Sequence, residues 1–299
     1  MDIRSAVPIA PHTYFKIGGP ARFFAVATSI DDVREAVAFA QAHALPFVVI
    51  SGGSNVLVSD NGFPGLVIKM DLRRMFTELH TITAGAGVPM AQVVSESVKQ
   101  GLAGIEWAIG IPGAVGGSVR GNAGCFGGDV ASVLDSAYVL NTETGEVESM
   151  PASVCEFGYR DSVFKHHPEF IILEATFRLC SGEKEASQKL VKSYTLERVS
   201  KQDIGARCAG CIFKNPSTDT PAGKLIDQAG LKGYAIGGAQ ISERHANYFL
   251  NTHGATASDI AALAAHAQAV VKERFGIELE PEIQYIGFAG AKNLSREDI

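Results

Sequence analysis

The chain has 299 residues, of which 46% are hydrophobic, and its 26 basic and 32 acidic residues give a formal net charge of −6. This length accommodates two or three modest domains. The basic residues are scattered, so nucleic acid is not an expected partner. The N-terminal sequence lacks the features of a secretory signal and no apolar run reaches about 18 residues, so we expect a cytoplasmic protein without membrane insertion.

The first predicted elements are a helix, a strand and a small-residue loop. Ser29 is a candidate N-cap with Asp32 three residues later, and apolar residues follow at helical spacing until Pro46. The run from Phe47 to Ile50 is wholly apolar and fits a buried strand. It leads into the loop SGGSN at residues 51–55.

The middle of the chain repeats this theme. The run TITAG predicts a strand that enters Gly85 and Gly87, and Pro89 then opens a helix that ends near Gly101. Eight glycines lie between Gly110 and Gly128. Because so many glycines disfavour regular structure, we expect residues 110–128 to form a loop.

The later elements mix strand and helix. Residues 137–149 read as a hairpin, and the run from Phe170 as a strand. A polar helical stretch begins near residue 183, and a helix from Ser258 to Phe275 stops at Gly276. The chain therefore reads as α+β domains in series.

Two glycine-rich loops after strands suggest an anion site, because glycines allow backbone N–H groups to approach a phosphate closely. Neither loop has the G-x-G-x-x-G form, and no Walker pattern occurs. The alternative is that both loops are only tight turns. Two such loops favour a long diphosphate-bearing ligand such as FAD.

Seven strings in order resemble the UDP-N-acetylenolpyruvoylglucosamine reductase family, in its shorter second type. They are TYFKIGGPA, SGGSNVLVSDNGFPG, GIPGAVGGSVRGNAGCFGG, FGYRDSVFK, AGCIFKNP, AGKLIDQAGLKGYAIGGAQISERHANYFLN and LEPEIQYIG, between about residues 13 and 287. The resemblance implies an α+β protein with a two-lobed FAD-binding portion of the vanillyl-alcohol-oxidase type and a smaller α+β substrate-binding domain. We expect the lobes at residues 1–72 and 73–196, and the substrate domain at 197–299.

The resemblance implies an oxidoreductase of peptidoglycan synthesis, and hence of cell-wall biogenesis, cell shape and division. It would reduce UDP-N-acetyl-enolpyruvoylglucosamine to UDP-N-acetylmuramate, with FAD as cofactor and NADPH as hydride-donating cosubstrate. We expect a monomer that binds no metal. Two alternatives stay open: an FAD-linked oxidase or dehydrogenase of this fold with another small substrate, and a non-catalytic protein that binds flavin or nucleotide sugar.

Three residues match the family's catalytic positions. Arg160 would stabilise an enolate-like intermediate, although a lone arginine after tyrosine is otherwise most often a surface residue. Glu282 would orient or share a proton, with Glu280 as a competitor that we expect to be solvated. Cys211 occupies a position that is commonly serine, and a thiol there would donate the proton to C2 more easily than an alcohol.

The spacing of Cys208 and Cys211 has other readings. Structural zinc requires four ligands, and the chain has no second C-x-x-C or H-x-x-x-H partner. A thioredoxin-like redox pair requires a different fold. Reversible closure of the two thiols into a disulfide, as an oxidative off-switch, stays a hypothesis.

The remaining site residues are also carried over by resemblance. Those expected to bind FAD are Gly52, Gly53, Ser54, Asn55, Gly85, Ile111, Gly117, Ser118, Asn122, Ala123 and Gly124. Those expected to bind the sugar nucleotide are Tyr159, Lys201, Asn215 and Gln240, with His245 and Asn251 as weaker candidates. A turn-capping role for Asn122 and a structural role for His245 are the alternatives. Asp203 and Arg120 depart from the family's usual residues and leave local loop shape open.

Overall fold

A computed structural model describes residues 1–288, and these form two compact units. The first unit comprises Met1–Arg4, Phe24–Gly52 and Leu66–Arg198, and the second comprises Ser5–Phe23, Gly53–Gly65 and residues 199–288. The expected division at residues 72 and 196 stays a prediction. The end of its third domain, residues 289–299, lies outside the described residues.

The strands and helices are numbered here in chain order. The strands are β1 (Ile3–Pro8), β2 (Pro20–Ala27), β3 (Phe47–Ile50), β4 (Val56–Val58), β5 (Phe63–Met70), β6 (Met75–Glu78), β7 (Thr81–Gly85), β8 (Leu102–Ala103), β9 (Gly124–Cys125), β10 (Gly128–Asp129), β11 (Leu134–Asn141), β12 (Val147–Pro151), β13 (Phe170–Arg178), β14 (Cys180–Ser181), β15 (Ala235–Ile236), β16 (Ala239–Ile241), β17 (Phe249–Asn251) and β18 (Gln284–Ile286). The helices are α1 (Ile30–Ala42), α2 (Met90–Lys99), α3 (Val115–Arg120), α4 (Val163–His166), α5 (Lys184–Lys201), α6 (Ala222–Gln228) and α7 (Ala257–Phe275). Short 3-10 turns lie at Ala10–His12, Glu106–Ala108 and Ala152–Val154.

A five-stranded antiparallel sheet of order β12-β11-β13-β7-β6 dominates the first unit. Its β11–β12 hairpin confirms the turn predicted at residues 137–149, because Leu140 pairs with Val147. A second sheet has the order β1-β2-β5-β3, with β3 and β5 parallel. Strands β1, β2 and β5 contribute residues to both units.

Helix α1 begins as its capping residues predict. The Ser29 side chain accepts a hydrogen bond from the Asp32 backbone N–H, and the Asp32 side chain accepts one from the Ser29 backbone N–H. This reciprocal box satisfies N–H groups that have no acceptor within the helix. Val33, Val37 and Ala40 of α1 are buried, as the apolar spacing predicts.

The second unit is built around α7. Thr256 and Asp259 form a second capping box, and Gly276 ends the helix in the left-handed conformation at φ 69°. The buried face of α7 packs in a core that includes Phe213 and Phe249, whose rings meet edge to face with centroids 6.0 Å apart. Strands β15, β16 and β17 form one small sheet, and β18 pairs with β4 in parallel.

The prediction of an uninterrupted loop at residues 110–128 is wrong for Val115–Arg120, which form α3. Glycine is required at position 116, because a Cβ there would lie 2.9 Å from the Ala86 Cβ. The Val115 and Gly116 N–H groups donate to the carbonyls of Val88 and Ala86. Tertiary packing thus overrides the poor helix propensity of glycine.

Within residues 1–288, no helix has both the length and the apolar character that a membrane span requires.

Candidate functional site

Glycines from two separate loops meet in the first unit. A Cβ on Gly52 would lie 2.6 Å from the Gly113 Cα, so the two backbones are in direct contact. The Ser51 hydroxyl donates to the Ala86 carbonyl at 2.8 Å and fixes the first loop. At Gly117, in contrast, a Cβ would meet nothing within 4 Å. Helix α3 therefore borders open space at Gly117.

This glycine-lined face carries hydrogen-bond donors. Among residues 1–288, none accepts a hydrogen bond from the backbone N–H groups of Gly52, Gly113 or Gly117. Such N–H groups on adjoining glycines bind anions, and the absent Cβ atoms let a ligand approach the backbone. The donor set and the open space together fit a phosphate-bearing cofactor.

Several residues expected at the cofactor have structural contacts instead. A Cβ on Gly85 would lie 2.4 Å from the Leu72 carbonyl oxygen, so backbone packing explains this glycine. The Ile111 N–H donates to the Ala108 carbonyl, and the Ala123 N–H donates to that of Ser118. These contacts account for the local turns and leave the proposed cofactor roles of these residues untested.

Asn122 joins the glycine loop to the segment that carries Arg160. Its side chain is buried, donates to the Gly158 carbonyl at 2.9 Å and accepts from the Ala131 N–H at 3.0 Å. Its φ of 40° is a left-handed conformation, which asparagine tolerates better than most residues. The turn-capping alternative for Asn122 therefore describes its contacts in this structure.

Arg160 lies in a tight turn of the first unit. The backbones of Gly158 and Asp161 exchange two hydrogen bonds, of 3.1 and 3.2 Å, and Arg160 has a φ of 55° between them. Its guanidinium donates to the Gly124 carbonyl at 3.1 Å and stacks over the Tyr159 ring. Strain at an arginine points to a selected function, because glycine would adopt this conformation without cost.

A buried cluster beside Arg160 escaped the sequence reasoning. The Arg198 guanidinium donates to the Cys125 sulfur at 2.8 Å and lies 5.2 Å from the centroid of the Phe126 ring. Burial raises the pKa of the Cys125 thiol, while the charges of Arg198 and Arg160 oppose that rise. The sequence contains only a weak indication of this cluster. Ser187 and Arg198, the buried residues of α5, lie about three helical turns apart and so share one face of the helix.

The second unit brings Cys211 and Glu282 into one backbone network. The Glu282 N–H donates to the carbonyl of Ile212, the residue after Cys211, at 2.7 Å. Phe213 forms an isolated bridge with Pro281, and Cys211 forms one with Tyr248. The Cys211 thiol is half-buried and forms no disulfide. The segments that carry Cys211 and Glu282 are therefore hydrogen-bonded neighbours, and the catalytic roles of both residues stay predictions.

The loop at residues 53–55 belongs to the same unit. Gly53 has a φ of 67°, and a Cβ there would lie 2.1 Å from the His12 carbonyl oxygen. Asn55 donates from its side chain to the Glu282 carbonyl at 3.1 Å, and its own carbonyl accepts from the Gln284 N–H at 3.0 Å. Both residues thus have structural partners besides any cofactor.

Cys208 differs from Cys211 in its surroundings. Cys208 is buried, and desolvation raises the pKa of its thiol. Neither thiol forms a disulfide in this structure. In the part of the chain described, residues 1–288, no group of three or more His, Cys, Asp or Glu residues is arranged to hold a metal ion. The disulfide hypothesis stays open.

The expected sugar-nucleotide residues are distributed over both units. In the first unit, Tyr159 is exposed beside Arg160. In the second, Lys201 lies at the end of α5, and the Asn215 side chain accepts from the Ala222 N–H at 3.1 Å. The Gln240 side chain donates to the Gly233 carbonyl at 3.1 Å. These bonds occupy part of each amide and leave the substrate roles as predictions.

The two weaker candidates have structural surroundings. The Asn251 side chain donates to the Phe15 carbonyl and accepts from the Ala255 N–H, which accounts for its burial. The His245 ring packs at 4.4 Å from that of Tyr248, and burial lowers the pKa of its imidazole. Among the described residues, none forms a hydrogen bond with its buried Nδ1.

Comparison with known proteins agrees with this organisation. Residues 21–150 match the family model described as FAD binding domain, and residues 202–286 match UDP-N-acetylenolpyruvoylglucosamine reductase, C-terminal domain. UDP-N-acetylenolpyruvoylglucosamine reductase 1 of Bacillus anthracis is 39% identical over 94% of this chain and 93% of its own length. The reductase of Clostridium beijerinckii is 40% identical over 96% of this chain and 93% of its own length.

A solved structure leads to the same result. The crystal structure of UDP-N-acetylenolpyruvylglucosamine reductase from Thermus caldophilus matches with a TM-score of 0.79 and 30% identity, over 95% of this chain and 98% of that one. The predicted α+β class, with an FAD-binding portion and a separate C-terminal domain, is confirmed, and so is the prediction of an FAD-dependent enzyme. The chain belongs to the UDP-N-acetylenolpyruvoylglucosamine reductase family.

Proposed function

We propose that the chain reduces UDP-N-acetyl-enolpyruvoylglucosamine to UDP-N-acetylmuramate with NADPH, through bound FAD, as a step of peptidoglycan precursor synthesis. The names of the relatives and the FAD-domain match support this proposal. The observation that supports it most is the backbone hydrogen bond from the Glu282 N–H to the Ile212 carbonyl at 2.7 Å, which pairs the segment that carries Glu282 with the residue after Cys211. Acid–base chemistry at a carbon centre requires such a pair.

Residues of the glycine loops would hold the cofactor. In the first unit the donors would be the N–H groups of Gly52, Gly113 and Gly117. FAD, when bound, supplies the transfer of two electrons and one hydrogen from NADPH to carbon C3 of the enolpyruvyl group. We propose that the other residues expected to bind FAD, which lie between Ser54 and Gly124 in the sequence, contact it as well.

The side chains of this chain would then manage the charge that develops on the substrate. Addition of hydrogen at C3 leaves negative charge over C2 and the carboxylate. The Arg160 guanidinium stabilises that charge, because a fixed cation close to an enolate lowers its energy. The Cys211 thiol gives its proton to C2, which completes the saturated ether and leaves a thiolate. Glu282 orients the donor and shares the proton with it.

The proposal also covers the partners and the location. NADPH and the UDP-sugar are the two small-molecule partners, and Tyr159, Lys201, Asn215 and Gln240 are the residues proposed to bind the latter. The active species is a monomer. Because NADPH is a cytoplasmic coenzyme, we place the reaction in the cytoplasm.

Anaerobic mixing in two steps tests the function. The purified protein should be yellow, should bleach on addition of NADPH, and should recover its colour when UDP-N-acetyl-enolpyruvoylglucosamine is added. In Cys211→Ala the first step should persist and the second should be lost. A colourless protein that takes up no FAD would contradict the proposal. Bleaching without recovery in the unmodified protein would instead favour an oxidoreductase with another substrate.

A further inference from the structure

Asn55 holds the main chain on both sides of Ile283. Its side-chain Nδ2 donates to the Glu282 carbonyl at 3.1 Å, and its backbone carbonyl accepts from the Gln284 N–H at 3.0 Å. Asn55 and Glu282 are 227 residues apart in sequence and belong to the same unit. A single loop residue thus fixes the segment that carries the candidate catalytic carboxylate.

Glu282 lies just outside the regular pairing of its strand. The parallel ladder of β18 with β4 begins at Gln284, which pairs with Val56. The bonds that hold the backbone of Glu282 include one from its N–H to the Ile212 carbonyl and one from the Asn55 amide to its carbonyl. The neighbouring Ile283 is buried and anchors the start of β18. Loss of the Asn55 bond would therefore let the peptide group of Glu282 move while β18 stays paired.

We propose that Asn55 is a positioning residue for Glu282. This inference rests on the proposed function, in which Glu282 orients the proton donor at Cys211. The amide Nδ2 of Asn55 sets the peptide plane of Glu282 from one side, and the Ile212 carbonyl sets it from the other. Asn55 also makes this placement depend on the glycine loop at residues 53–55, in which it lies.

The chemistry of the bond defines the variants. Only the amide nitrogen donates to the Glu282 carbonyl, so Asn55→Asp keeps the shape and the backbone bond to Gln284 but places a carboxylate oxygen against a carbonyl oxygen. Asn55→Ala removes the contact. The matched control is Asn61→Ala in the same unit, because the exposed Asn61 side chain makes no hydrogen bond with any of residues 1–288.

The test follows the two half-reactions in the FAD-containing protein. In Asn55→Asp loaded with FAD, recovery with the enolpyruvyl substrate should slow by about tenfold or more relative to bleaching by NADPH in the same variant, since small misplacements of a catalytic group have large effects. In a Glu282→Gln background, Asn55→Asp should cause no further slowing, because the two residues act as one unit. Asn61→Ala should match the unmodified protein throughout.

A measurement apart from activity completes the test. Amide hydrogen exchange at Glu282 and Ile283 should become about tenfold faster in Asn55→Asp and stay unchanged in Asn61→Ala. If Asn55→Asp and Glu282→Gln slow the recovery of colour additively, the positioning role is overturned. It is also overturned if Asn55→Asp loses FAD and bleaches slowly, because Asn55 would then be a cofactor residue only. If Glu282→Gln itself recovers its colour at the normal rate, the proposed role of Glu282 fails, and this inference with it.

Discussion

The Lys214 ammonium lies 2.5 Å from the Glu280 carboxylate, so this first acid of the LEPE sequence forms an ion pair. The Glu280 side chain is 69% exposed, and exposed ion pairs contribute about 1 kcal/mol or less. Glu280→Gln should therefore leave turnover within about twofold, whereas Glu282→Gln should lower it by about 100-fold or more. Steady-state assays of both variants check this, and equal losses would contradict the assignment of Glu282.

Cys211→Ser should stay active but should respond differently to pH. A thiol loses its proton at a lower pH than an alcohol, so recovery of flavin colour should slow in the unmodified protein as the pH becomes alkaline. The serine variant should be slower overall and should lack this decline. Rapid-mixing measurements across the alkaline range check the prediction. Cys208→Ser is the matched control and should keep the slowing at alkaline pH. If this slowing disappears in Cys208→Ser, it is due to Cys208 and the prediction for Cys211 is wrong.

The strained turn at Arg160 separates stability from activity. Arg160→Gly should remain folded, with a free energy of unfolding within about 1 kcal/mol of the unmodified protein, because relief of the left-handed strain offsets the lost bond to Gly124. Substrate reduction should nevertheless fall by about 100-fold or more. Glu156 has a φ of 47° and is exposed, so Glu156→Gly is the control and should keep full activity. Urea unfolding and turnover assays check both variants. Normal turnover in Arg160→Gly would contradict its role.

Gly117 tests the cofactor face. An alanine there meets no neighbour and should raise the stability of the FAD-free protein by up to about 1 kcal/mol through helix propensity, yet its methyl group should weaken FAD binding. Gly223→Ala in α6, where the nearest atom would be 3.5 Å away, should leave FAD binding unchanged. Fluorescence titration of the FAD-free protein gives both affinities. Unchanged affinity in Gly117→Ala would place the cofactor elsewhere.

His245 should make stability depend on mild acid. Burial lowers the pKa of its imidazole below the unfolded value. Two smaller effects oppose each other: Asp203 raises this pKa and Lys232 lowers it. The unfolded chain therefore binds the proton more readily, so the free energy of unfolding is undiminished above about pH 6.5 and decreases as the pH falls from there towards the folded-state pKa. His245→Asn should flatten this decrease, whereas the exposed His253→Asn should not. Thermal unfolding between pH 5 and 8 checks it; an unchanged slope in His245→Asn would contradict it.

Local signals explain most of what was predictable. The capping box of Ser29 and Asp32, the stop at Gly276 and the hairpin at residues 137–149 all depend on neighbours in sequence. Helix α3 was missed because Gly116 packs closely against Ala86, which is distant in sequence. The bond from Asn55 to Glu282 and that from Arg198 to Cys125 leave no periodic pattern. The family strings identified Cys211, Glu282 and Arg160 as candidates, but their partners are visible only in three dimensions.

The parallel pairing of β18 with β4 has a consequence for synthesis on the ribosome. A nascent chain that has reached residue 212 already contains the thiol, but the strand at residues 56–58 has to wait for residues 284–286 before its edge is covered. Long-range pairing of this kind forms late and slowly. The segment that carries Glu282 can therefore join β4 only after residue 286 has been synthesised, more than 220 residues after β4 itself.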